Sequence, residues 1–177
     1  MARHGIMFAG AAVVLLAASS CSRRDSRVVK REGEPDYVRV SDQTRMDRAM
    51  AEARSTIDNF VAALAARTPG TMGFAVKKGY PCPGDAKEFI WINEVGMDGD
   101  VFVGTVNNEP VDTKQVRLGQ KVRVKRGEIA DWMYLERGRL RGGYTIVALV
   151  HGTPQQNEYG KNLQIDWSDY EFLGGKE

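Results

Sequence analysis

Residues 41–76 read SDQTRMDRAMAEARSTIDNFVAALAARTPGTMGFAV, and the fold turns on a change of period inside them. Met46, Ala49, Met50, Ala53, Ile57, Phe60, Val61 and Leu64 recur at spacings of three and four, which lines one face of an α-helix. Ser41 or Asp42 offers a side-chain oxygen to the free amides of the first turn, and Pro69-Gly70 stops the helix. Past Gly70 the period falls to two. Met72, Phe74 and Val76 alternate with their neighbours, as they do on a half-buried strand.

Moving outward, the same strand signature returns at Phe89 to Val95 and at Val101 to Val106, with Asp98-Gly99-Asp100 as the hairpin turn between them. Asn107-Asn108-Glu109-Pro110 interrupts it, and Gly119 to Lys125, Ile129 to Leu135 and Tyr144 to Val150 resume it. One helix followed by consecutive antiparallel strands implies an α+β fold. The expectation is an N-terminal amphipathic helix packed on an antiparallel, partly barrel-like sheet of about five to seven short strands. The stretch after Val150 is polar apart from Leu163, Ile165, Trp167, Tyr170, Phe172 and Leu173, which suit either docking onto the domain or an edge strand.

The N-terminus carries a different message. A basic start at Arg3 and His4, a chargeless apolar run from Ile6 to Ala18, and small residues up to Cys21 have the organisation of an export signal. The run is shorter than the roughly 20 residues a spanning helix needs. Ala18-Ser19-Ser20-Cys21 resembles a lipobox, and the resemblance implies lipidation of Cys21 and anchoring at the periplasmic face of an envelope membrane. Ser22 in the next position resembles the sorting signal for the outer membrane. The expected organisation is therefore a signal peptide over 1–21, a tether over 22–40, an α+β domain over 41–150 and a C-terminal extension over 151–177. With Cys21 lipidated, Cys82 is left as a lone thiol between two prolines, read as inert.

At 177 residues the chain has room for one domain, and 42% apolar with 27% charged residues is an ordinary globular balance. A formal net charge of +2 does not supply the basic surface that nucleic-acid binding uses to displace counterions, so no nucleic-acid partner is expected. His151 is the sole histidine past the signal segment. One histidine and one isolated cysteine do not make a zinc site, and no phosphate loop or dinucleotide fingerprint is present, so no metal and no cofactor are expected. Acid–base chemistry would rest on carboxylates: Asp131 with Glu128 or His151 forms the candidate catalytic set, and Asp166 with Asp169 reads as turn and surface charge.

Two stretches suggest binding instead. Lys121, Arg123 and Lys125 alternate with Val122 and Val124, placing three cations on one sheet face, with Arg126 and, on the next hairpin, Arg137, Arg139 and Arg141 as its expected extensions. Glu128 and Glu136 are their candidate neutralising partners. In Asp131-Trp132-Met133-Tyr134 the aromatics share one face and Asp131 takes the other unless a bulge intervenes, so that Trp132 and Tyr134 either fill the core or line a ligand.

Phe74-Ala75-Val76-Lys77-Lys78, Glu88-Phe89-Ile90-Trp91-Ile92, Gly104-Thr105-Val106-Asn107-Asn108-Glu109-Pro110, Ile129 to Tyr134 and Gly142-Gly143-Tyr144-Thr145 together resemble a bacterial family of YegJ-like proteins of unknown function. The resemblance covers about residues 42–150 and implies no activity, cofactor or catalytic residue. The expectation it leaves is a non-enzymatic binding module whose partner is an envelope protein or an anionic envelope polymer. A hydrolase or transferase built on Asp131 and an immunity-like inhibitor of a toxin are the alternatives.

Overall fold

The apolar stripe of residues 46–64 forms two successive helices, α1 (Gln43–Ser55) and α2 (Ile57–Ala66), rather than one. The break falls at Thr56, whose hydroxyl donates to the Glu52 carbonyl at 2.7 Å and meets the Tyr144 hydroxyl at 3.0 Å. Hydroxyl bonds of this kind compete with the helix ladder and bend it. The computed structural model describes residues 43–173 in full and, as backbone alone, 15–16, 27–31 and 34–39. Cys21 and the expected capping residue, Ser41 or Asp42, lie outside the described residues. The backbone segments are β1 (Leu15–Leu16), β2 (Arg27–Arg31) and β3 (Glu34–Arg39).

Six further strands carry the domain: β4 (Thr71–Pro81), β5 (Lys87–Asp98), β6 (Val101–Val106), β7 (Lys121–Lys125), β8 (Ile129–Glu136) and β9 (Arg139–Gly142). Their antiparallel ladders give the order β7-β6-β5-β4-β8-β9. β7 and β9 are thus opposite ends of this path, and the sheet is open where a partly barrel-like curve was expected. The turn at Asp98-Gly99-Asp100 closes the β5–β6 hairpin as predicted, with Gly99 at φ +59 and Asp98 facing Val101.

The helices cover one face through Met46, Ala49, Ala53, Ile57, Phe60 and Leu64, all buried against Phe74, Val76, Ile92, Phe102, Val124 and Trp132. Phe60 lies at the centre, with ring centroids 5.5 to 5.8 Å from Trp132, Phe102 and Phe74. Offset and edge-on aromatic contacts of this kind add to the stabilisation from buried area.

Tyr144 to Val150 departs from expectation: it is a helix, α3 (Tyr144–Val150), not a strand. Its β-branched residues favour a strand locally, but tertiary context decides. Gly142 and Gly143 both take left-handed backbone (φ +70 and +67), which turns the chain out of β9, and Val147, Ala148, Leu149 and Val150 are then all buried. The C-terminal stretch docks rather than adding a strand. It forms α4 (Gln156–Asn162), buries Ile165 and Tyr170, and is tied to β9 by Leu140 N–H to Leu163 C=O at 2.9 Å and Tyr170 O–H to Gly142 C=O at 2.8 Å.

Candidate functional site

On β7 the side chains of Lys121, Arg123 and Lys125 are exposed, while Val124 is buried and Val122 half-buried, so the expected alternation is present. Arg123 pairs with Asp98 at 2.7 Å, with both side chains more than half exposed. Among the described residues Lys121 and Lys125 have no ion-pair partner within 4 Å. Of the candidate neutralisers, Glu136 does not reach this row and pairs with Arg141 at 2.7 Å, while Glu128 pairs with Lys78 at 2.9 Å and touches the end of the row only through the Lys125 amide, at 3.0 Å. Arg126 turns away to pair with Asp58, and Arg137, Arg139 and Arg141 do not extend the row, because the β8–β9 hairpin is at the other end of the sheet. There Arg139 binds Asp166 and Asp169, and Arg141 also reaches Asp169 at 3.5 Å, which pins the C-terminal stretch to β9.

Asp131 is wholly buried on β8, between β4 and the end strand β9. Ala130 is a bulge, since Lys77 faces Asp131 but Lys78 faces Ile129, and a bulge re-aims the side chain that follows it. One carboxylate oxygen accepts the Trp132 amide at 2.8 Å. The other accepts the Thr145 amide at 2.8 Å and the Thr145 hydroxyl at 2.6 Å, giving the N-terminus of α3 a negative charge. The Thr145 oxygen in turn accepts from Lys77 Nζ at 2.8 Å, and the ammonium lies 4.9 Å from the Trp91 ring centre. Burial pulls the Lys77 ammonium down to about 8, with the Asp131 charge opposing. Burial pushes Asp131 up, and Lys77 and the Thr145 and Trp132 hydrogen bonds resist it.

Neither predicted partner touches this carboxylate. Glu128 caps the turn before β8 by accepting the Lys125 amide at 3.0 Å, and the Lys78 bond keeps it below the usual carboxylate range. His151 lies against Trp167, 5.7 Å between ring centres, where burial lowers its basicity and Arg45 adds to the effect. Trp132 is core: its indole N–H donates to the Ala53 carbonyl at 2.8 Å, and Tyr134 stacks on Phe74 at 4.9 Å. Cys82 is a free, half-buried thiol that burial pushes up. Lys77, Thr145 and Glu88 are polar centres that sequence reasoning missed. The buried Glu88 carboxylate accepts the amides of Val111, Asp112 and Thr113 at 2.7 to 2.9 Å and so holds the long β6–β7 loop against β5.

A cleft of about 590 Å³ opens where β4 and β5 part company above the Val76–Ile92 pair. Arg67, Met72, Phe74, Asn93 and Glu94 line it, and Gly73 (φ +68) and Glu94 (φ +54) mark bulges that steer the two strands toward β8 and β6. Among the described residues no group of three or more His, Cys, Asp or Glu is placed to hold a metal ion, and no helix is long and apolar enough to cross a membrane.

A family model described as an uncharacterised protein conserved in bacteria (DUF2314) matches residues 43–167, so the match runs through α4 as well as the sheet. The chain is 31% identical over 115 residues to the uncharacterised protein YegJ of Escherichia coli strain K12, covering 65% of this chain and 73% of that one. It is also 33% identical over 88 residues to a protein of Neisseria meningitidis serogroup B named as a putative ankyrin repeat protein. That overlap is 49% of this chain and only 35% of the relative's length. No solved structure matches.

Proposed function

The chain belongs to the DUF2314 family of uncharacterised bacterial proteins, and from that premise we propose that it is a non-enzymatic binding module, held at the cell envelope by a lipid on Cys21, whose β7 face takes an anionic partner. The observation that carries the reading is the row of exposed cations on β7, two of them without an ion-pair partner among the described residues. The polar groups with chemical potential, Lys77, Thr145, Asp131 and Glu88, are by contrast buried and bonded to one another or to backbone. Catalytic groups need a concave site open to substrate. The apolar run ending at Ala18-Ser19-Ser20-Cys21 supports the anchor.

Retention of the full chain on immobilised polyglutamate tests the β7 reading. The Lys121→Glu, Arg123→Glu, Lys125→Glu variant should elute at much lower salt than wild type. A control with the same change of net charge at the exposed Arg48, Arg54 and Lys161 should elute close to wild type, because screened charges act over only about 10 Å at moderate salt. Equal loss in variant and control would overturn the proposal.

A further inference from the structure

Lys121 and Arg123 share their positions with an unused backbone edge. Val106 N–H donates to Gln120 C=O at 2.9 Å at the start of the β6–β7 ladder, and Gly104 and Phe102 then face Val122 and Val124. Backbone groups alternate in direction along an antiparallel strand, so Val122 and Val124 serve β6 while Lys121, Arg123 and Lys125 point their N–H and C=O groups outward. The Lys125 amide fits this geometry: it leaves the ladder and donates to the Glu128 carboxylate. Among the described residues no strand pairs with that outer edge.

We infer that β7 recognises its partner by strand addition: an extended acidic peptide segment, with Asp or Glu at alternate positions, pairs with the free outward groups of Lys121 and Arg123. This rests on the β7 reading proposed above and adds the class of partner and the mode of binding. Main-chain hydrogen bonds along the edge provide affinity and alternate side chains provide specificity. In such a pairing, every second side chain of the incoming strand lies beside Lys121, Arg123 and Lys125, on the same face. Opposite charges there favour pairing. The same cations disfavour a second copy of the chain at this edge, since like charges directly opposite are destabilising. Arg123 exchanges an exposed Asp98 partner for the peptide's carboxylate.

The experiment uses the full chain and two capped peptides of one composition, Glu alternating with Thr in the first and Glu clustered at one end in the second, each as long as β7. The alternating peptide should bind about tenfold tighter than its clustered isomer and should slow hydrogen exchange at the Lys121 and Arg123 amides of wild-type protein. Arg123→Pro removes one outward N–H without touching the ladder to β6, as proline is tolerated where a strand's N–H faces solvent, and should abolish the preference. Equal binding of the two peptides, with no slowing of exchange, would overturn strand addition while leaving a basic surface. Failure of both peptides to bind would overturn the β7 reading with it.

Discussion

Lys77 is a cation within a sheet whose neighbours are Trp91 and Asp131, and it is tolerated because Thr145 links it to a carboxylate. Breaking a buried pair by removing one charge costs about 3–5 kcal/mol, because the other is left uncompensated. Asp131→Asn should therefore lower stability by about that amount at neutral pH, as read from urea unfolding. The loss should also depend on pH with a defined sign. Lys77 releases its proton near 8 when folded and near 10.5 when unfolded, so the cost of burying its charge is complete below about 8 and is relieved as pH rises toward 10.5. In Asp131→Asn the attraction that holds Lys77 up is gone and its folded value falls below about 8, so the stability gap to wild type should narrow as pH rises toward about 8 and stay level above it, where Lys77 is neutral in both folded proteins. A gap that stays constant would show that the charge on Lys77 is not what Asp131 compensates. The sequence pointed to Asp131 but not to this environment. Thr145 lies 68 residues from Lys77, and a lysine beside a second lysine in Val76-Lys77-Lys78 reads locally as a polar face; only the pairing of β4 with β8 brings the three together.

At the scale of elements, the helix stripe, the hairpin at Gly99 and the alternation on β7 were legible because each is a local period or turn signal. α3 was not, since Tyr144-Thr145-Ile146-Val147 has strand propensity and its helical state depends on what precedes and caps it. The two glycines before it are the decisive signal. A Cβ on Gly142 would stand 2.3 Å from the Trp132 carbonyl and 2.4 Å from its indole, at a backbone φ of +70. Gly142→Ala should cost about 3 kcal/mol or more, combining steric overlap with backbone strain. Gly127→Ala, where nothing lies within 4 Å, should stay within about 0.5 kcal/mol of wild type. Similar urea midpoints for the two variants would mean that the β9–α3 turn is not held as described. The same turn accounts for the C-terminal stretch: Tyr170 closes on the Gly142 carbonyl, and Asp166 and Asp169 close on Arg139. Neither long-range contact leaves a mark in the local pattern.

At the scale of the whole molecule, basic residues at the two ends of the sheet have different fates. Those on β9 are neutralised by the C-terminal stretch and by Glu136 of β8, and those on β7 stay open to solvent. A net charge of +2 hides this difference. Composition correctly spoke against a strongly basic chain, but only strand order tells which cations are spent within the fold. The proposed lipid on Cys21 would confine this surface beside a membrane, where a partner of modest affinity suffices. The most direct test is in-cell crosslinking followed by mass spectrometry on three chains at matched abundance: wild type, the Lys121→Glu, Arg123→Glu, Lys125→Glu variant, and Cys21→Ala. Wild type should capture one reproducible anionic partner, the β7 variant should lose it while keeping the wild-type urea midpoint, and Cys21→Ala should leave the membrane fraction and capture less of it. Undiminished capture by a folded β7 variant would contradict the account.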